Sequence, residues 1–173
     1  MKKHIIIGFL LCSFLAVTSA HAGDAFIKAG LHFFNNDEYE DLNSFIFAAG
    51  ADWRLVDYFS LGFDIQYSTK SQNELRHHFV NGYINAKAYL GKEFIRPFVG
   101  AGLGYQVAGL WVEDVNLTIT DVDYSSAPAY QILGGVLIGK PGGISFVAEF
   151  QYKKATGDLE GLDSYALLGG IVF

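Results

Sequence analysis

Residues 58–68 read Tyr58-Phe59-Ser60-Leu61-Gly62-Phe63-Asp64-Ile65-Gln66-Tyr67-Ser68. Phe59, Leu61, Phe63, Ile65 and Tyr67 recur at every second position. Ser60, Gly62, Asp64 and Gln66 fill the places between. Side chains along a β-strand point alternately to opposite faces, so this stretch predicts a strand with one apolar and one polar face. Its length also matches what a tilted strand needs to cross a bilayer.

Seven more segments carry the same period: Ala25–Phe34, Ser44–Arg54, His78–Leu90, Arg96–Val107, Ala129–Ile138, Ile144–Lys154 and Ser164–Phe173. The weakest alternation is in Ala129–Ile138, where Leu133 and Leu137 fall on the polar face. Short connections at Leu55–Asp57, Gly91–Ile95 and Gly139–Gly143 alternate with longer polar ones at Asn35–Asn43, Thr69–His77, Ala108–Pro128 and Ala155–Asp163. Short turns at one rim and long loops at the other mark a membrane barrel. In hydrocarbon every backbone N–H and C=O needs a partner within the protein, and a sheet meets that demand only by closing on itself. The expected fold is therefore all-β, an eight-stranded antiparallel up-and-down transmembrane barrel. An even strand count puts both of its ends at the short-turn rim.

Residues 1–22 read differently. Met1-Lys2-Lys3-His4 is basic, Ile5–Val17 is an apolar run, and Ala20-His21-Ala22 is an A-x-A pattern. These are the three regions of a cleaved signal peptide, and the apolar run is too short for a membrane-spanning helix. The expected division is a signal peptide at 1–22 and an outer-membrane β-barrel domain at 23–173. The sole cysteine, Cys12, falls in the leader, so the barrel domain offers no disulfide or thiolate site. Removing the two leader lysines leaves ten cationic against eighteen acidic residues, which argues against a nucleic-acid partner.

Aromatic residues fall in two groups. Trp53, Tyr58, Phe59, Phe94, Phe98 and Phe173 lie near the short-turn ends; Phe33, Phe45, Tyr67, Tyr105, Tyr130, Tyr152 and Tyr165 lie near the long-loop ends. Two aromatic girdles flanking an aliphatic band match the two membrane interfaces.

Two segments resemble a known superfamily. Arg96-Pro97-Phe98-Val99-Gly100-Ala101-Gly102-Leu103-Gly104-Tyr105 is similar to a strand motif of the small outer-membrane barrels, which include opacity-type proteins, the OmpA transmembrane domain, OmpX and Ail. Tyr165, Leu167, Gly169, Ile171 and the final Phe173 resemble that group's carboxy-terminal assembly signal. The resemblance implies an outer-membrane location, insertion by the barrel assembly machinery, and outer-membrane lipids as surroundings. It implies little about activity, because this fold hosts adhesins, structural proteins, channels and lipid-modifying enzymes.

The face opposite the lipid carries Lys28, His32, Asp52, Arg54, Asp64, Lys87, Glu149 and Lys153. Charges at membrane depth must pair or meet water, and an eight-stranded barrel is just wide enough for side chains to fill. A charge-paired structural plug is the expected arrangement. Tyr83 and Tyr89 are expected to fill the space above Gly100, Gly102 and Gly104. The long loops are acidic, with Asp37, Glu38, Glu40 and Asp41 in the first and Trp111, Glu113, Asp114, Asp121 and Asp123 in the third. Alternation of apolar residues with Thr118 and Thr120 allows the third to extend strands above the membrane. The histidine and serine candidates near that rim are His32, His77, His78 and Ser44 or Ser68, and none shows the motif of a lipid-modifying hydrolase. The sequence therefore points to a non-enzymatic barrel without cofactor or metal, with long loops outside, termini in the periplasm, and a structural or surface-interaction role toward a host or environmental ligand. A narrow channel for ions or small hydrophobic molecules is the alternative, followed by a lipid-modifying hydrolase.

Overall fold

A computed structural model describes residues 23–35, 43–72, 75–91, 93–113 and 119–173. The expected leader, the first-loop acids Asp37, Glu38, Glu40 and Asp41, and Asp114 lie outside the described residues. The alternating segments form eight strands: β1 (Gly23–Phe34), β2 (Ser44–Val56), β3 (Phe59–Gln72), β4 (Leu75–Tyr89), β5 (Ile95–Glu113), β6 (Ile119–Gly139), β7 (Ser145–Ala155) and β8 (Ser164–Val172). Each pairs antiparallel with its sequence neighbours, and β1 also pairs with β8 from Phe26↔Val172 to Phe34↔Ser164, closing the barrel.

The wall is apolar outward. Phe45, Ile84 and Leu103 are at least 70% exposed, and Phe47, Ile65, Ile132, Phe146 and Leu167 stand in the same band. The polar residues between them are buried inside: Lys28, His32, Asp52, Asp64, Gln66, Asn85, Lys87, Gln131, Glu149 and Lys153. This inverts the usual distribution of a water-soluble barrel. An apolar belt of this extent needs an apolar surrounding.

Two of the four long connections are largely strand, the third connection in the way its alternation allows. Thr69–His77 is strand on both sides, with β3 and β4 paired out to Gln72↔Leu75. Most of Ala108–Pro128 is a hairpin, with β5 and β6 paired out to Glu113↔Ile119. Trp111 and Glu113 thus belong to β5, and Asp121 and Asp123 to β6, rather than to a loop. Backbone pairing continues there although 69–77 carries no clean alternation of apolar and polar residues. The fourth connection stays irregular. It makes one 3-10 turn at Gly157–Leu159 and turns Leu159 and Leu162 inward. Gly157 (φ 64°) and Gly161 (φ 97°) take the left-handed conformations that let the chain double back there.

Tyr83 packs over Gly104, its register partner; a Cβ on Gly104 would lie 2.8 Å from the Tyr83 ring. The expected pairing of Tyr89 with the other two glycines is not found. Tyr89 instead packs against Phe98 with ring centroids 5.7 Å apart and planes tilted by 51°, while the Lys87 stem and Leu133 cover Gly100 and Asn85 covers Gly102. Gly104→Ala should therefore destabilise the barrel by about 1–3 kcal/mol through overpacking. Gly82→Ala, whose Cβ would meet nothing within 4 Å, should be silent. Urea unfolding of the refolded proteins in detergent micelles checks the contrast.

Candidate functional site: a sealed lumen and a raised hairpin

Period-two alternation on eight closed strands sends every second side chain into one narrow lumen. There Lys28 of β1 meets Glu149 of β7, Nζ to Oε1 2.7 Å. Lys87 of β4 meets Asp52 of β2, Nζ to Oδ2 2.7 Å, and lies 4.0 Å from the second Glu149 oxygen. The two ion pairs thus form one chain of alternating charge. The face of Phe26 supports it, with Lys28 Nζ 4.3 Å and Lys87 Nζ 5.0 Å from the ring centroid.

Amides continue the network. Gln66 Nε2 donates to Asp64 Oδ2 at 2.9 Å and to Gln151 Oε1 at 3.2 Å. Gln151 in turn donates to Glu149, and Gln131 donates to Asn85 Oδ1 at 2.6 Å. Sequence reasoning passed over these amides because it selected ionisable groups alone. They occupy inward positions of the same alternation, which was the available signal.

Asp64, held by Gln66, stands outside the buried chain of ion pairs, and so do Arg54 and Lys153. Arg54 reaches Asp24 at 3.1 Å near the short-turn rim, with both side chains about one-quarter exposed. Lys153 is wholly buried, and its Nζ has no hydrogen-bond partner among the described residues. Arg96, absent from the sequence candidates, is buried at the same rim as Arg54. Its guanidinium donates to Gly139 O and Ser145 Oγ, each at 3.3 Å.

Apolar side chains close both ends of this polar interior. Toward the short turns, Phe26, Tyr89, Phe98, Leu137, Val147 and Val172 cluster together. Toward the long connections, Phe34, Phe79 and Tyr83 pack under Leu159 and Leu162 of the fourth connection. The cavity among Lys28, Asp52, Lys87 and Glu149 is only ≈ 10 Å³, about the volume one water centre needs. A continuous aqueous path is absent from this arrangement of the described residues.

Of the histidine and serine candidates, the structure brings together only His32 and Ser68 among the described residues. His32 Nδ1 and Ser68 Oγ lie 3.1 Å apart, both buried, while His32 Nε2 has no hydrogen-bond partner among the described residues. A nucleophile relay needs a third group to orient the histidine and a path for substrate. His78 Nδ1 instead contacts Tyr67 OH at 2.8 Å on the outer surface.

Outside the lumen, the β5–β6 hairpin stands above the rim. β6 loses its β7 partner beyond Ala129↔Ala155 but keeps β5 as far as Ile119. Its edge from Ile119 to Ala127 therefore carries no second ladder among the described residues.

No protein-family model and no curated protein sequence matches the chain. Solved structures do. Neisserial surface protein A superposes with a TM-score of 0.72 at 13% identity, covering 87% of this chain and 95% of that one. Ail of Yersinia pestis gives 0.59 at 12% identity, covering 87% and 97%. The outer membrane enzyme PagL gives 0.50 at 14% identity, covering 86% and 99%. The chain has the fold of the small eight-stranded outer-membrane barrels, the architecture of the OmpX and Ail class. At these identities the likeness is one of fold, and the fold is shared by surface proteins and an enzyme alike.

Glu149→Gln should cost about 3–5 kcal/mol, because it leaves Lys28 buried beside a neutral amide. The double variant Lys28→Met/Glu149→Leu removes both charges and should recover most of that loss. Urea unfolding of the wild type, Lys28→Met, Glu149→Leu and the double variant measures the coupling; single losses that simply add in the double variant would contradict the pairing.

Proposed function

We propose that this chain is an outer-membrane surface protein whose raised β3–β6 sheet contacts an external partner, with no enzymatic role. In this reading residues 1–22 are removed on export, and the barrel assembly machinery reads Tyr165, Leu167, Gly169, Ile171 and Phe173. The long-connection rim faces outside, and both termini lie in the periplasm. Lipid surrounds the apolar belt.

The observation that carries the proposal is the β5–β6 hairpin. From Ala129 to Ile119, β6 runs ten residues past its last β7 partner, about 30 Å of extended chain. Its free edge offers unpaired backbone donors and acceptors to a partner strand. The rim also sets the partner's charge. Residues 35–43, 69–77, 108–128 and 155–163 hold twelve carboxylates against two cations, Lys70 and Arg76. Ail has been solved with sucrose octasulfate, a heparin analogue and a polyanion. The acidic rim of this chain suits a basic protein segment instead. The sealed lumen weighs against the channel alternative.

Ala108 and Ser125 are register partners. Replacing residues 109–124 with Asn-Gly should therefore shorten the hairpin without shifting its ladder. Cells displaying this variant should lose adhesion to mammalian extracellular matrix while the barrel stays folded, and heparin should not compete with the wild type. Undiminished adhesion by the folded variant contradicts the proposal. In planar bilayers the wild type should remain silent; reproducible unitary conductance would establish the channel instead.

A further inference from the structure

We propose that the upper lumen is a lidded chamber for a small carboxylate carrying an apolar body, with the fourth connection as its lid. Lys153 of β7 is the residue that calls for an occupant. It is wholly buried, and its Nζ has no hydrogen-bond partner among the described residues. Buried charges are otherwise paired, because an isolated one is costly. Asp64 is the carboxylate that acts most strongly on Lys153, yet it makes no contact with it, and its Oδ2 is taken by Gln66. Glu149 and Asp52 are held by Lys28 and Lys87. Two more polar groups stand beside Lys153. Ser164 of β8 is its register partner and pairs on its other side with Phe34 of β1; His32 lies two residues before Phe34 on the same inward face. Ser164 Oγ and His32 Nε2 are buried and likewise without a partner among the described residues. In the tautomer that lets Ser68 donate to His32 Nδ1, the Nε2 hydrogen is left as a donor. Ammonium, hydroxyl and imidazole N–H all donate, and a carboxylate accepts from all three.

The rest of the chamber is apolar. Phe34, Phe79, Ala127 and Ala129 seat Leu159 and Leu162 of the fourth connection. The His32 ring centroid lies 4.6 Å from that of Phe34, so the seat adjoins the donors. The connection is pinned at its ends. Thr156 donates to Pro128 O through both N and Oγ1, and Asn35 N donates to Asp163 O. Between these anchors the described backbone hydrogen bonds are internal, Glu160 N to Gly157 O and Leu162 N to Leu159 O. Gly157 and Gly161 supply left-handed hinges. Burial of the two leucines is therefore what seats the segment on the barrel, and lifting them opens the chamber toward the long-connection rim. Their side chains match a phenylethyl group in carbon count. An arylalkyl carboxylate thus replaces them in the seat while its head reaches Lys153. Below, the Gln66–Gln151 contact and the apolar cluster around Phe98 close the lumen, so the chamber is blind rather than a channel. It is independent of recognition by the raised sheet.

Solution NMR of the refolded, isotope-labelled barrel in non-ionic detergent tests the chamber at neutral pH with hydrocinnamate, hydrocinnamamide and acetate. Hydrocinnamate should bind saturably and shift the amide resonances of Lys153, Leu159, Leu162 and Ser164. The amide keeps the apolar body but loses the charge, and should bind at least about tenfold more weakly. Acetate keeps the charge but loses the body, and should weaken by at least about the same factor. Lys153→Met should also weaken hydrocinnamate about tenfold. Lys154→Met, at the neighbouring lysine engaged by Asp163 at 3.4 Å, should leave binding unchanged. The heat-dependent shift on a denaturing gel reports whether each variant is folded. If Lys153→Met does not fold, the three-ligand comparison on the wild type decides the matter. Absence of saturable hydrocinnamate binding, equal binding of the amide, shifts that leave those four residues untouched, or undiminished binding by folded Lys153→Met would each overturn the proposal.

Discussion

The pairing of β1 with β8 is the interaction on which the rest of the molecule depends. An open sheet would leave two rows of backbone N–H and C=O groups unpaired, each costing several kcal/mol in hydrocarbon. Closure satisfies them and, with eight strands, fixes a lumen that side chains alone can fill. The outer face must then be apolar, and the inner face is free to be polar provided its groups satisfy one another. The chain Lys28–Glu149–Lys87–Asp52 and the amides around Gln66, Gln131 and Gln151 are that satisfaction.

Because the interior is used for packing, recognition moves to the rims, and the two rims differ. The short-turn rim is held by Arg96 on Gly139 and Ser145 and by Arg54 on Asp24. The opposite rim is uneven. β2 is low, β5 and β6 are high, and the fourth connection folds Leu159 and Leu162 over the lumen. Height differences between adjacent strands create the free β6 edge. The upper hairpin is also the part with fewest lateral ladders, so it should open more readily than the belt beneath it.

The belt was legible in the sequence because alternation there is enforced on both sides, by lipid outside and by the packed lumen inside. Phe59 to Tyr67 shows this most clearly, and its inward partners Ser60, Asp64 and Gln66 are all buried. The upper strands were less legible. Thr69–His77 carries no clean apolar–polar alternation although its described residues pair in β3 and β4, while the third connection signalled strand only through alternation with Thr118 and Thr120. The partners inside the lumen were beyond sequence reasoning altogether. Lys28 and Glu149 are 121 residues apart, and which cation meets which carboxylate depends on how strands tilt across the barrel. Leu159 and Leu162 stand in a run of glycines and acids that reads as an exposed loop. Only their apolar character hinted that this connection turns inward.

The central claim is a closed wall with lipid on one face and a packed, sealed interior on the other. Residues 23–173 contain no cysteine, so single cysteines at 63, 64, 65, 66, 67 and 68 can each carry a nitroxide spin label in the barrel reconstituted in lipid vesicles. The decisive measurement is the collision of each label with oxygen and with a water-soluble nickel complex. A closed wall of this kind gives a period of two, with high oxygen and low nickel accessibility at 63, 65 and 67, and low accessibility to both at 64, 66 and 68. Nickel accessibility at the even positions would show an open aqueous lumen, and loss of the period or its inversion would contradict the barrel itself.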